Sequence, residues 1–293
     1  MTKPNTTPLI LNGKEVSEQI ITKIKAEVSN IHSKNKRPPG LSVILVGDNP
    51  ASHVYVNNKE KACIKIGLHS EVHRLPANTS EEELIDIIKS INKNNAIDGI
   101  LVQLPLPIHI KAEKIIEIID PAKDIDGLHP YNLGKLLSGQ KCLVPCTPLG
   151  VIEILKYYSI NIRGMNAVII GRSTLVGKPL SLLMLNENAT VTVAHSKTDN
   201  IDGISRTADI LISAVGKAKL VKKNWVKPNA IVIDVGINKT LENNKSLLVG
   251  DVDFEDVKSN CKAITPVPGG VGPVTVAMLM SNTLQAYKIN NNV

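Results

Sequence analysis

Short aliphatic runs alternate with amphipathic segments along almost the whole chain, and this alternation constrains the fold more than any other feature. LSVILV (41–46) reads as a strand buried on both faces. SHVYVNNKEKACIKIG (52–67) reads as a helix with a Gly in the expected stop position. EVHRL (71–75) is a second strand; Ser80 and Glu83 make a capping box ahead of the helical LIDIIKSI; DGILVQ (98–103) is a third strand. The order is βαβαβ, the signature of a parallel sheet.

A stretch dense in Pro and Gly follows: LPLP, a helix near 111–119, then PAKDIDGLHPYNLGKL and LVPCTPLG. The domain boundary falls close to Thr147, where a helix with Pro148 in its first turn is expected over 147–158. Beyond it NAVIIG, TVTVAH, ADILISAVG and AIVIDVGIN read as four more buried strands, and a last long helix is predicted over 273–288. Aromatic residues make up only 2% of the 293 residues, so the core must be built from Ile, Val, Leu and Ala, as buried parallel strands require. With 43% apolar residues the chain can bury a substantial core, which excludes global disorder.

The four cysteines, Cys63, Cys142, Cys146 and Cys261, show no C-x-x-C spacing and no zinc-ligand pattern. A reduced, cytoplasmic compartment and no metal are expected. No apolar run approaches the roughly 20 residues of a membrane span, so no membrane association is expected, and MTKPNTTPLILNGKEV lacks the apolar core of a signal peptide. The net charge of +7 is dispersed, and the few scattered aromatics offer no stacking platform, which argues against nucleic acid and leaves an anionic small molecule.

NAVIIG-RSTLVG-KPLSLLML is a strand, a Gly-rich turn and a helix. In a doubly wound sheet that turn meets phosphate at the helix N-terminus. The P-loop pattern is not met: five residues separate Gly171 from Gly177, and Lys178 precedes Pro179 rather than a hydroxyl. The G-x-G-x-x-G fingerprint is not met literally, since position 173 is Ser. The next strand ends in Ala194-His195-Ser196-Lys197, without the acid that holds the ribose hydroxyls of NAD; with Arg172 in the turn, NADP is favoured over NAD. A plain surface turn is the alternative.

Ser52, Tyr55 and Lys59 share one helical face at i, i+3 and i+7, so the Tyr55 phenol and the Lys59 ammonium can meet. A Lys with a depressed pKa can serve as general acid or base, although spacing alone fits an ordinary amphipathic helix equally. Gln103 ends a buried strand, pointing into the ligand crevice or bonding to the next loop. Asp124 and Asp126 in KDIDG are not an EF-hand, because the twelfth position is Lys135; Asp126 faces a ligand or only shapes a turn. His69 and His73 fall in a strand and are read as surface residues. TPVPGGVGP offers bare backbone to a flat ligand or phosphate, or is simply a tight loop.

Taken with PASHVYVNNKEKACIKIGL, DGILVQLPLP, KDIDGLHPYNLGKL, PCTPLG, VIIGRSTLVGKPLSLLML and ITPVPGGVGPVTVAMLM, these stretches resemble the bifunctional methylenetetrahydrofolate dehydrogenase/methenyltetrahydrofolate cyclohydrolase family over nearly the whole chain. The resemblance implies an α/β fold with a folate-binding catalytic domain (1–146, completed by a C-terminal helix at 279–293) and a Rossmann-like NADP domain (147–278). It implies oxidation of 5,10-methylenetetrahydrofolate with NADP⁺, hydrolysis of the product to 10-formyltetrahydrofolate, a place in one-carbon metabolism and purine biosynthesis, and a homodimer formed largely through the cofactor domains.

By the same resemblance Lys59 is the central acid/base residue, Tyr55 packs on or bonds to the folate, Gln103 tunes Lys59, and Asp126 holds the pterin. Ser52, Val102 and Leu104 join them around the substrate, with Pro268, Gly269, Gly270, Val271 and Gly272 beside folate and nicotinamide. The NADP residues implied are Thr147, Gly171, Arg172, Ser173, Val176, Gly177, Ser196 and Ile237. A binding protein that keeps the fold without chemistry and an unrelated two-domain NADP dehydrogenase are the alternatives; intact Tyr55 and Lys59 argue against the first, and the second would not require the Tyr-x-x-x-Lys helix and the Pro-Gly-Gly loop together.

Overall fold

The computed structural model describes residues 7–242 and 245–291. The chain opens with β1 (Leu9–Ile10), α1 (Gly13–Ser33), β2 (Gly40–Val46), α2 (Pro50–Ile66), β3 (His69–Leu75), α3 (Glu81–Lys93) and β4 (Gly99–Val102). Then come α4 (Ala112–Ile118), α5 (Pro130–Leu137) and α6 (Cys146–Tyr157). The alternation resumes with β5 (Asn166–Ile170), α7 (Gly177–Asn186), β6 (Thr190–Ala194), α8 (Ile201–Ser205), β7 (Ile210–Ser213) and β8 (Ala230–Asp234). The chain closes with β9 (Asn238–Glu242), β10 (Lys245–Val249), α9 (Phe254–Val257), β11 (Cys261–Ile264) and α10 (Val271–Asn290).

Two compact units result. The first gathers Glu18–Cys146 and the chain from Val276 onward; the second gathers residues up to Ser17 with Thr147–Thr275. Sequence alone puts residues 1–17 with the first unit. The reason for the difference is pairing: β1 lies parallel to β11, and Gly13 donates its N–H to Gly269 O at 2.8 Å. A Cβ at Gly13 would stand 1.7 Å from Gly270 O, so only glycine allows this approach.

In the first unit three parallel strands run in the order β3-β2-β4. β2 is buried at every position, as its aliphatic run requires. α3 covers this sheet through Leu84, Ile85, Ile88 and Ile91, which share one face, and its N-terminus is capped by Ser80 Oγ accepting the Glu83 N–H at 3.1 Å. Ile88 packs among Ile44, Ile100 and Ile115 with 0% exposure, and Ile88→Ala would cost about 2–5 kcal/mol through the cavity left behind.

In the second unit six parallel strands run in the order β1-β11-β8-β7-β5-β6. From β5 the chain steps outward to β6 and then back to β7 on the other side, so the order reverses between β5 and β7. At such a switch point the carboxyl ends open a crevice for ligand. The run AIVIDVGIN does not stay a single strand. β8 stops at Asp234, and Asn238 begins an antiparallel ribbon of β9 with β10.

Candidate active site

Lys59 stands on α2, and its Nζ donates to Gln103 Oε1 at 2.9 Å. Gln103 is fixed at the carboxyl end of β4 by its own backbone, which donates to Ile44 O at 2.8 Å, and by Nε2, which donates to Leu104 O at 2.6 Å. The amide therefore has one direction to present its oxygen, and that direction is Lys59. Among the described residues Lys59 bonds to Gln103 and not to Tyr55, although helical spacing allows that pair. Tyr55 is 41% exposed, leaving its ring free for a ligand, whereas Ser52 is buried. Val102 is buried beneath, and Leu104 is half-buried.

Asp126 is carried by a loop whose shape is set by its neighbours. Asp124 accepts the N–H groups of Leu128 (3.2 Å) and His129 (2.8 Å) and the Asn132 side-chain amide (2.9 Å). Asn282 of α10 donates to both Ile125 O and Val144 O at 2.8 Å, and Cys146 Sγ donates to Ile125 O at 3.3 Å. Gly127, at φ +68°, lies so close to Val144 and Pro145 that a Cβ would come within 2.5 Å of both. These contacts hold the peptide groups on either side of Asp126, yet its carboxylate accepts no hydrogen bond from a described residue.

The electrostatics follow from that placement. Burial pushes the Lys59 ammonium below its ordinary value, opposed by the charge of Asp126 and by Cys146. Burial also pushes the Asp126 carboxyl up to about 6, which Lys59 resists and Asp124 reinforces. Cys146 is pushed well up by burial and the Asp126 charge, so it stays a thiol. A lysine easier to deprotonate than usual, aimed by an amide and beside an acid with open lone pairs, is equipped to exchange protons with a bound electrophile.

The second unit holds the turn expected for a dinucleotide. Gly171, at φ +124°, follows β5, and a Cβ there would lie 2.3 Å from Ala214 O beyond β7. Gly177 starts α7 so close to Gly171 O that a Cβ would lie at 2.1 Å. Ser173 shapes the turn: its Oγ accepts the Val176 N–H at 3.1 Å and its carbonyl the Lys178 N–H at 3.0 Å. No side chain caps α7; with the Lys178 N–H taken by Ser173 and no N–H on Pro179, the Gly177 N–H is the first-turn amide left for an anion among the described residues. Exposed Arg172 follows β5, and exposed Ser196 and Lys197 follow the neighbouring β6, where Ile170 pairs with Ala194. These groups fit a phosphorylated dinucleotide: a backbone cradle without Cβ atoms, and cationic and hydroxyl donors where an acid would repel a 2′-phosphate.

Other residues implied for ligands also group in this unit. Ile237 is 45% exposed, and a Cβ on Gly272 would sit 3.6 Å from its Cδ1. Thr147 accepts the Thr275 hydroxyl at 3.3 Å. In the Pro-Gly-Gly loop Pro268 is exposed, Gly269 half-buried, and Gly270 and Val271 buried.

Comparison with known proteins decides which family these two units belong to. A model described as the tetrahydrofolate dehydrogenase/cyclohydrolase catalytic domain matches residues 11–126, and its NAD(P)-binding counterpart matches 145–291. The chain belongs to the tetrahydrofolate dehydrogenase/cyclohydrolase family. It is 54% identical to the bifunctional protein FolD of Acetivibrio thermocellus over 96% of this chain and 97% of that one. The crystal structure of the bifunctional FolD enzyme of Campylobacter jejuni superposes with a TM-score of 0.93 at 47% identity, covering 97% of this chain and 99% of that one. A Trypanosoma brucei methylenetetrahydrofolate dehydrogenase-cyclohydrolase, solved with NADP cofactor and inhibitor, gives 0.94 at 39% identity, with 98% and 99% covered. The expected two-domain α/β class and the NADP cofactor are those of this tetrahydrofolate dehydrogenase/cyclohydrolase family.

Some residues that build the candidate site escape sequence reading. Asp124 is weighed only as a calcium ligand, although its donors lie four to eight residues on, and Asn132 and Asn282, which also set the Asp126 loop, are not singled out. Asn282 did leave a signal: a single amide in the apolar run of α10 must find partners, because an unpaired buried amide costs about 1–3 kcal/mol.

Proposed function

We propose that this enzyme divides its two reactions between the residues assembled above. It oxidises 5,10-methylenetetrahydrofolate with NADP⁺ and hydrolyses the resulting methenyl compound to 10-formyltetrahydrofolate. Bound NADP⁺ supplies the acceptor for the two electrons and hydrogen lost by the methylene carbon. The chain's own part in that step is to bind and orient, because the carbon is already activated by two nitrogens.

Hydrolysis asks more of the protein. Water adding to the methenyl carbon must lose a proton, and the departing ring nitrogen must gain one. Lys59 performs both transfers: the neutral amine, favoured by burial, takes the proton from water, and the ammonium returns one to nitrogen. Gln103 aims it. Asp126, with lone pairs unclaimed by the described residues, accepts the pterin N–H groups, while Tyr55 supplies a ring face. The observation that carries this reading is the 2.9 Å contact between Lys59 and Gln103 in a buried setting beside Asp126.

On the cofactor side Arg172, Ser196 and Lys197 take the 2′-phosphate, and the Gly171–Gly177 turn takes the pyrophosphate. The product is a formyl donor, which places the enzyme in one-carbon metabolism serving purine biosynthesis. A homodimer through the second unit is supported by β6, an edge strand on which Val193 is exposed, with Leu175 and Leu185 also exposed on the same unit. A cytoplasmic location is supported by four free cysteines; among the described residues no helix is long and apolar enough to cross a membrane.

The test is absorbance of reduced cofactor after mixing methylenetetrahydrofolate with NADP⁺ or NAD⁺. Reduction of NADP⁺ is expected, with Arg172→Ala raising the KM for NADP⁺ about tenfold and that for NAD⁺ little. Equal losses for both cofactors would remove the 2′-phosphate assignment.

A further inference from the structure

The second unit also holds a buried carboxylate with no part in the chemistry above. Asp251 lies between β10 and α9 and is 0% exposed. Its Oδ2 accepts the N–H of Val215 at 2.7 Å, the N–H of Gly216 at 3.2 Å and the Ser213 hydroxyl at 3.3 Å. Its Oδ1 accepts the N–H of Lys217 at 2.9 Å and the Asn238 amide at 3.0 Å. Asp251 in turn donates its own N–H to Asp234 Oδ1 at 2.9 Å, and Val252 donates to Asp234 Oδ2 at 2.8 Å. Asp234 ends β8 and also accepts the Gly236 N–H at 3.0 Å. Glycine makes this packing possible: a Cβ at Gly236 would stand 2.1 Å from Asp251 Oδ1, and one at Gly250 would stand 1.7 Å from Asp234 Oδ2.

The groups that Asp251 ties down are the chain just beyond β7 and the chain beyond β8. Both lie at carboxyl ends of parallel strands, where an open sheet receives its ligand, and β7 borders the switch point. Ile237 immediately precedes Asn238. A carboxylate gathering three consecutive backbone N–H groups and two side-chain donors is more than an isolated turn needs. Because Asp251 is fully buried, it acts on a ligand only through the segments it holds.

We propose that Asp251 is a positioning residue for the dinucleotide, clamping the segments after β7 and β8 in one conformation so that Ile237 and the Val215-Gly216-Lys217 backbone meet the cofactor already ordered. This rests on the placement of NADP at the carboxyl ends of this sheet. Asp234 is the base on which the clamp stands. An amide cannot replace the carboxylate, since its NH₂ would face one of the N–H donors that now point at oxygen.

The two activities provide an internal control, because hydrolysis of added methenyltetrahydrofolate needs no dinucleotide. In Asp251→Asn the KM for NADP⁺ in the dehydrogenase reaction is expected to rise roughly tenfold or more, as for a lost charge-assisted bond, with cyclohydrolase kcat retained. Asn238→Ala, which removes one donor and leaves the carboxylate, should raise the same KM about threefold. It decides alone if circular dichroism shows that Asp251→Asn does not fold. Folded variants with an unchanged KM for NADP⁺, beside an Arg172→Ala protein in which it rises, would overturn the proposal and leave the cofactor placement standing. No change in Arg172→Ala either would remove the placement too. Equal loss of both activities would reduce Asp251 to a structural role and equally overturn the proposal.

Discussion

Asp126 and Asp251 are both buried or nearly so, and they are opposites in what surrounds them. Asp251 collects five donors from two segments of the chain, three of them backbone and two side-chain. Asp126 collects none from the described residues, and its carboxyl is pushed up to about 6. Asp124, two residues away on the same loop, resembles Asp251: three donors hold it. Burial by itself therefore says little about a carboxylate's task. A saturated one spends its lone pairs on the protein and shapes the chain; an unsaturated one, kept costly by desolvation, has them open to a ligand, the role proposed for Asp126.

The contrast can be broken most sharply at Asp126. Asp126→Asn should lower cyclohydrolase kcat/KM about 10- to 100-fold, the value of a charged hydrogen bond to substrate, measured by decay of methenyltetrahydrofolate absorbance. Next in size is Gln103→Glu, expected to cost about tenfold near neutrality. A carboxylate in place of the amide favours the ammonium form of Lys59, so the rising limb of the pH–rate profile should move to higher pH. An unmoved profile would show that Gln103 does not tune the lysine.

The smallest effect is on stability, and its sign separates the two acids. Asp126 binds its proton more tightly folded than unfolded, so its ionisation opposes folding. Stability is fullest below the ordinary value near 3.8 and falls as pH rises through about 6. Asp126→Asn should therefore stabilise the free enzyme at pH 8 by about 1–3 kcal/mol, a rise of a few degrees in Tm, while activity falls. Asp251→Asn should lower Tm, since it disrupts bonds instead of relieving a desolvated charge. Calorimetry that gave both variants the same sign would end the comparison.

Most strands were legible because an aliphatic run of four to seven residues bounded by turn signals has few other uses. α1 was not: its buried Val16, Ile24 and Val28 are separated by charged residues that hide the period. α5 begins at Pro130 in a stretch rich in Pro and Gly, which reads as loop although Pro at the first turn is compatible with a helix. The β9–β10 ribbon was masked by the apparent continuity of AIVIDVGIN. At the site, Lys59 and Gln103 could be singled out by position on a helix face and at a strand end. Their contact spans 44 residues, and that of Asn282 with the Asp126 loop spans 157, which no local pattern encodes.

The proposed division of labour rests on Lys59. The direct test is the rate of methenyltetrahydrofolate hydrolysis in Lys59→Met, compared with the uncatalysed rate and with wild type, in protein whose circular dichroism matches wild type. Loss of acid/base transfer predicts a fall of about 10²–10⁴-fold, leaving little above the uncatalysed rate, while binding of NADP⁺ to the second unit persists. A folded Lys59→Met enzyme that hydrolyses its substrate at the wild-type rate would contradict the account.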